Sequence, residues 1–239
     1  FESATFLNDL MNIFKISSSD ITNKPFIDYI TNFKKPIILS TGASGLSEIK
    51  DAYKWIKSNG NDLALLHCVL NYPTLDENAN LGMIRGLKDN FPDCVIGYSD
   101  HTMPNQMSIC EMATCLGSRI IEKHFTLDKT LPGNDHYHSM DVSDLKVLVE
   151  KINNLIKVIG TSEVRFLESE KKSRINARRS IVLLKDLNAG DTITKENIIF
   201  KRPGTGVSPN QIDKVLGMKL LKTKKADSLL NWTDIDLNE

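Results

Sequence analysis

The sequence carries no surplus of either charge: 30 basic and 30 acidic side chains cancel. That removes any electrostatic argument for nucleic acid or an anionic membrane surface as a partner. No apolar run approaches the roughly 20 residues that cross a bilayer. The four cysteines, Cys68, Cys94, Cys110 and Cys115, show no CxxC spacing and lie in or beside apolar runs. They are expected to be buried thiols in a reducing, cytoplasmic compartment. No glycine-rich phosphate loop follows the first strand-like segment, which argues against a doubly wound open sheet. A translation start is missing too. The chain opens on Phe1-Glu2-Ser3 and runs straight into a helical pattern of Phe6, Leu7, Leu10, Met11 and Phe14. The expectation is that a further segment precedes it.

What is present is globular composition, 41% hydrophobic and 25% charged over 239 residues. That is enough for one large or two smaller domains. Five short apolar runs end in small, polar or ionisable residues. Phe14-Lys15-Ile16 leads into SSSD, Pro36-Ile37-Ile38-Leu39 into STG, and Leu63-Ala64-Leu65-Leu66 into HCVLN. Cys94-Val95-Ile96-Gly97 leads into YSDH, and Ile120-Ile121 into EKH. Amphipathic stretches lie between, such as residues 47–58. A longer stripe of Leu145, Leu148, Val149, Ile152, Leu155, Ile156 and Ile159 has helical spacing and is expected to be core. Continuous apolar runs separated by helices suit a parallel sheet covered on both faces. Chemistry at each strand end suits a (β/α)8 TIM barrel, although only five of eight units are visible. Residues 161–178 read as a charged linker. From residue 179 to 239 the texture changes to short β-prone pieces and turns, a small second module.

Ser18, Ser40 and Ser99 end three different strands, and Lys15 lies in the first of them. Each serine alone is as well explained by strand closure or helix capping. Together with a buried lysine, which needs an anionic partner, they suit a phosphate or carboxylate. His101 and His124 follow two successive strands. A single strand-end histidine is commonly just hydrogen-bonded structure. Two on neighbouring strands can hold a divalent ion and leave positions for water and substrate oxygen, as manganese or magnesium prefers. His67, inside a strand, is expected in the core. His136 and His138 sit in a loop, LPGNDHYHSM, from which they could touch substrate, but a solvated loop is the simpler expectation. Asp100 and Glu122 either orient the histidines or, more commonly, pair with a lysine or arginine. Asp20 and Asp135 fall in loops where a polar substrate would lie.

The motifs KISSSD, PIILSTGAS, LLHCVLNYPT, IGYSDHT, EKHFT and GNDHYHSM, in this order, resemble the sialic acid synthases. The segments RRSIVLLKDLNAGDTIT, KRPGTG and VLGMKL resemble the antifreeze-like SAF domain, a β-clip, of the same family. The resemblance implies condensation of phosphoenolpyruvate with N-acetylmannosamine or a related acetamido hexose. The product is a nonulosonic acid plus phosphate. Legionaminate or pseudaminate synthesis is the close alternative, and a non-catalytic saccharide- or partner-binding module the distant one. The resemblance gives Lys15, Ser18, Ser40, Ser99 and, in a guarded way, Asn71 to phosphoenolpyruvate. Asn71 is guarded because Leu70 stands where some members have asparagine. The sugar falls to Asp20, Tyr72, Asp135 and Arg202. The divalent metal, manganese first and magnesium or cobalt as options, falls to His101 and His124. Lys15, His101 and His124 are thereby the expected catalytic groups. A homodimer with swapped SAF domains is implied, with Arg202 of one subunit reaching the other's barrel mouth. The family barrel has three further βα units before the segment that matches Phe1, so this chain is expected to be an incomplete barrel with little turnover of its own.

Overall fold

The computed structural model describes residues 1–236; Leu237, Asn238 and Glu239, the last three of the expected second module, lie outside the described residues. The chain divides into two compact units, Phe1–Gly160 and Thr161–Glu239.

In the first unit five parallel strands lie side by side in chain order: β1 (Phe14–Ile16), β2 (Ile37–Ser40), β3 (Leu63–Cys68), β4 (Val95–Asp100) and β5 (Ile121–Lys123). Helices α1 (Glu2–Asn8), α2 (Lys24–Thr31), α3 (Leu46–Ser58), α4 (Met83–Asn90), α5 (Ser108–Cys115) and α6 (Val142–Ile159) precede, connect and follow them. This is half of a curled α/β barrel, built of βα units as the apolar runs predict. β3 is buried along its whole length, as a central parallel strand requires. Phe14, Ile16, Leu39, Leu65 and Ile96 from the strands pack with Ile27, Ile30, Ile56, Ile84 and Leu87 from the helices. Local signals set the helix starts. Asn23 accepts from the Phe26 amide ahead of α2. Asp141 accepts from the Ser143 and Asp144 amides, while Asp144 returns to the Asp141 amide, ahead of α6.

Three expectations fail here. Of the α6 stripe only Leu148 is buried; Leu145, Val149, Ile156 and Ile159 are exposed. The helix follows β5, the outermost strand, and packs on α5 and the turn before it through a small cluster of Met107, Cys110, Leu148 and Ile152. Cys115 is exposed while the other three thiols are buried, because it sits on the last turn of α5 away from the sheet. Lys15 is not buried either: its side chain emerges at the open edge strand, 31% exposed.

The second unit pairs β6 (Ser180–Leu183) and β7 (Ile198–Lys201) antiparallel. Short helices α7 (Lys171–Ala177) and α8 (Ile212–Val215) accompany them. Isolated bridges tie the later turns to β6, as at Val182–Leu229, and to one another, as at Leu220–Ile235. Ile181, Leu183, Ile193, Val207, Val215, Leu220, Leu230 and Ile235 form its own core. Among the described residues no helix is long and apolar enough to cross a membrane.

Candidate active site

Strand register decides which side chains share a face. Lys15 pairs with Ile38, Ser40 with Leu66, Cys68 with Ser99, and Ser99 with Glu122. Directly paired residues lie on one face and alternate residues return to it. Lys15, Ser40, Cys68, Ser99 and Glu122 therefore occupy one face of the sheet toward its carboxyl edge. His101 and His124 continue that alternation by two residues. The opposite face carries His67, Tyr98, Asp100 and Lys123 against the helices.

At the β1 side, Lys15 Nζ lies 3.2 Å from Glu122 Oε2. Ser40 Oγ donates to the same oxygen at 3.5 Å. Of the two roles expected for Glu122, orienting a histidine or pairing with a basic residue, the structure shows the pairing; the carboxylate faces the mouth and reaches across to β1 and β2. Ser18 Oγ accepts from the Gly42 amide at 2.8 Å. A Cβ on Gly42 would lie 2.9 Å from both Cys68 Sγ and Ser18 Oγ, so this turn tolerates no side chain. Burial raises the Cys68 thiol pKa, and hydrogen bonds from Ser18 and Ser99 only partly offset it. The thiol is therefore neutral.

At the β4–β5 side the imidazoles meet. The rings of His101 and His124 stand edge to face with centroids 5.2 Å apart. His101 Nδ1 lies 2.8 Å from the Val69 carbonyl. A carbonyl only accepts, so Nδ1 carries the proton and Nε2 the lone pair. Burial lowers the His101 pKa, with the Val69 bond opposing; the neutral ring is the metal-binding form. Tyr72 covers the group, its ring 4.2 Å from that of His101 and 5.7 Å from that of His124. Asp135 points one carboxylate oxygen at His124 Nδ1, 3.9 Å away, and the other at His138 Nε2, 3.5 Å away.

His138 is the residue that sequence reasoning misplaced. Its side chain is 1% exposed, and among the described residues neither ring nitrogen has a hydrogen-bond partner. The loop folds back because Met140 donates to the His124 carbonyl and Thr126 to the Met140 carbonyl, each at 2.9 Å. That pairing extends β5 and seals His138 beneath Tyr137. No periodicity marks it; a third histidine beside a strand-end histidine was the available signal. His136 is partly buried and bonds Thr126 Oγ1 at 2.7 Å. His67 is core as expected, with Nε2 2.7 Å from the Ala79 carbonyl.

His124, Asp135 and His138 offer ligand atoms that all lie within 4.8 Å of one another. A divalent ion fits this chemistry: buried nitrogens without partners, a fixed His101 tautomer and one carboxylate. The remaining expected residues make other contacts. Asp20 accepts from Asn23 Nδ2 within its own turn, at 3.0 Å. Asn71 is exposed, and its carbonyl accepts from Thr74 Oγ1 at 2.9 Å. Arg202 belongs to the second unit, exposed on the turn after β7.

Residues 1–164 match the NeuB family and residues 178–236 the SAF domain. An uncharacterized protein of Methanocaldococcus jannaschii is 40% identical over 94% of this chain and 67% of its own length. The N,N'-diacetyllegionaminic acid synthase of Legionella pneumophila is 40% identical over 93% of this chain and 63% of its own length. The chain thus spans about two thirds of the curated relatives it matches. Among solved structures, a spore coat polysaccharide biosynthesis protein E from Chromobacterium violaceum superposes with a TM-score of 0.87. That match has 25% identity and covers 98% of this chain and 71% of the other. With one family matched along the whole first unit and the domain that accompanies it matched along the second, the chain belongs to the NeuB family and carries a SAF domain.

Proposed function

We propose that this chain supplies the substrate-binding strand ends of a cytoplasmic nonulosonic acid synthase, which condenses phosphoenolpyruvate with an acetamido hexose. The observation that carries the reading is the register that gathers Lys15, Ser40, Ser99 and Glu122 on one face, with the rings of His101 and His124, just past two of those strand ends, 5.2 Å apart. The Lys15 ammonium and the hydroxyls of Ser18, Ser40 and Ser99 hold the phosphate and carboxylate. Asn71 serves the same anion from the loop after β3. Tyr72 and Asp135 flank the sugar, with Asp20 at its periphery; in the swapped homodimer the partner's Arg202 completes the sugar site. His101 and His124 would hold a divalent ion, manganese by preference, which polarises the aldehyde oxygen when bound. In the reaction the enol carbon bonds to the aldehyde carbon of the open-chain sugar. A water oxygen adds to the carbon bearing the phosphate ester. That ester C–O bond then breaks, giving the keto acid and inorganic phosphate. Lys15 neutralises the anion while the hydroxyls fix its orientation.

The Legionella relative is named for a product with two acetyl groups. This favours a diacetamido hexose as acceptor over N-acetylmannosamine, while relatives named for pseudaminic acid stand at 33–36% identity. The reading includes a homodimer, tested by the molar mass in solution.

Binding of phosphoenolpyruvate to this chain, measured by calorimetry with manganese present, is the direct test. Lys15→Ala removes a charge-assisted contact and is expected to weaken binding about tenfold or more. Failure of the parent chain to bind, or indifference to Lys15→Ala and Ser99→Ala, would sink the reading.

A further inference from the structure

We propose that His138 is a metal ligand, adding with Asp135 and His124 a loop side to the divalent-cation site that His101 also faces. The inference rests on the metal-dependent reading above and extends it from two imidazoles to a set that includes the loop after β5.

A histidine as buried as His138 ordinarily bonds a carbonyl, a carboxylate or a water through at least one ring nitrogen. Leaving a buried polar group unpaired forfeits its hydration with nothing in return. His67 in the same unit obeys the rule through Ala79; His138 does not. Its nearest carboxylate oxygen, on Asp135, is 3.5 Å away without hydrogen-bond geometry. A cation between them satisfies both groups at once. The spacing agrees. Ligand atoms about 2.0–2.2 Å from an ion lie at most roughly 4.4 Å apart. The three groups already lie within 4.8 Å of one another, so inward side-chain movement of a few tenths of an ångström closes the set.

The backbone holds His138 in this position. Ser139 donates through its amide to the His136 carbonyl at 3.2 Å and through Oγ to the Asp135 carbonyl at 2.5 Å. The turn thereby presents Asp135 and His138 to the same side. The Met140–His124 hydrogen bond then ties that turn to the strand end bearing the second imidazole. The ring of His138 lies 5.5 Å from that of His124 and 6.0 Å from that of Tyr72. It therefore sits within the group that faces the mouth and not behind it. Two imidazoles and a carboxylate favour zinc, iron(II), cobalt or manganese over magnesium, which prefers all-oxygen octahedra.

The test uses metal alone. Cobalt(II) is titrated into the full chain, and affinity is followed by calorimetry and coordination by the visible absorption of the bound ion. His138→Ala and His138→Gln are each expected to weaken cobalt at least tenfold and to change the absorption band, with far-UV circular dichroism confirming the fold. X-ray absorption should count one imidazole fewer in His138→Gln than in the parent. If His124→Ala abolishes binding while both His138 variants keep parental affinity and spectrum, the proposal is overturned and the metal-dependent reading stands. If the parent binds no cobalt, both fall. A crystal of the parent grown with cobalt decides without any variant: an ion within bonding distance of a His138 nitrogen supports the proposal, and one bound away from it refutes it.

Discussion

Immediately before His101 and His124 stand Asp100 and Lys123, paired across β4 and β5 in register. Lys123 Nζ lies 2.6 Å from Asp100 Oδ2, and both side chains are 1% exposed. Further hydrogen bonds hold both ends of the pair. Asp100 accepts from Tyr98 Oη and the Thr102 amide, each at 3.0 Å, and Lys123 donates to the Thr102 carbonyl at 2.6 Å. Alternation turns this network to the helix side and the two histidines to the mouth. The pair thus fixes where both imidazoles begin. Lys123→Met leaves a buried carboxylate without its counter-charge and is expected to cost roughly 3–5 kcal/mol, measured by urea denaturation of the first unit. The double change Asp100→Leu with Lys123→Met should recover part of that loss, since well-packed apolar pairs replace buried ion pairs at little cost. Residue types at strand ends were legible because an apolar run announces where a strand stops. The burial of His138 was not, because it depends on a loop folding back through backbone hydrogen bonds that no side-chain pattern encodes. Lys15 reads as buried from its apolar neighbours, but an edge strand leaves one flank open.

At the scale of elements, close approach between β4 and its neighbours shapes the mouth. A Cβ on Gly97 would overlap Leu66 Cδ2, stand 2.6 Å from the Ile120 carbonyl oxygen and lie 2.9 Å from Ile120 Cβ. The Leu66 contact could be relieved by a rotamer change; the carbonyl contact needs the backbone of the β5 segment to move. Gly97→Ala is therefore expected to destabilise by about 1–3 kcal/mol, as overpacking does. It should also weaken divalent-metal binding, because His101 and His124 ride on the two displaced strands. Gly86, inside α4, has nothing within 4 Å of its would-be Cβ. Gly86→Ala is the control, expected to stabilise by roughly 0.5–1 kcal/mol with metal affinity unchanged. Paired melting curves and cobalt titrations check both. The same packing logic explains why the strands were easy to find in sequence and the fate of α6 was not. β3 and β4 are central, so their apolar runs are core. The α6 stripe has correct helical spacing, but spacing says only which residues share a face, not whether another element covers it.

At the scale of the whole molecule, the two units have separate cores with no residue in common. Each contains one of the two tryptophans, Trp55 and Trp232. Separate cores do not oblige the chain to unfold in one step, and the tryptophans allow each unit to be followed alone. The second unit has an acid-sensitive anchor. Asp234 is 2% exposed and receives Lys224, Lys222 at 2.9 Å and the Asn231 amide at 2.9 Å. Burial alone would raise its carboxyl, but these donors outweigh it and hold the pKa at about 2, below its ordinary 3.8. A carboxylate depressed in the folded state stabilises fully above its ordinary pKa. That contribution is lost as pH falls through the folded value. The window therefore lies between about pH 4 and pH 2. With Trp55→Phe leaving Trp232 as the sole reporter, the second unit should lose on the order of 2 kcal/mol across that window. Asp234→Asn should remove a similar amount at pH 7 and flatten the pH dependence. With Trp232→Phe leaving Trp55 to report, the Asp234→Asn change should leave the first unit's transition where it was. A shift of both transitions together would mean that the two cores stand or fall as one.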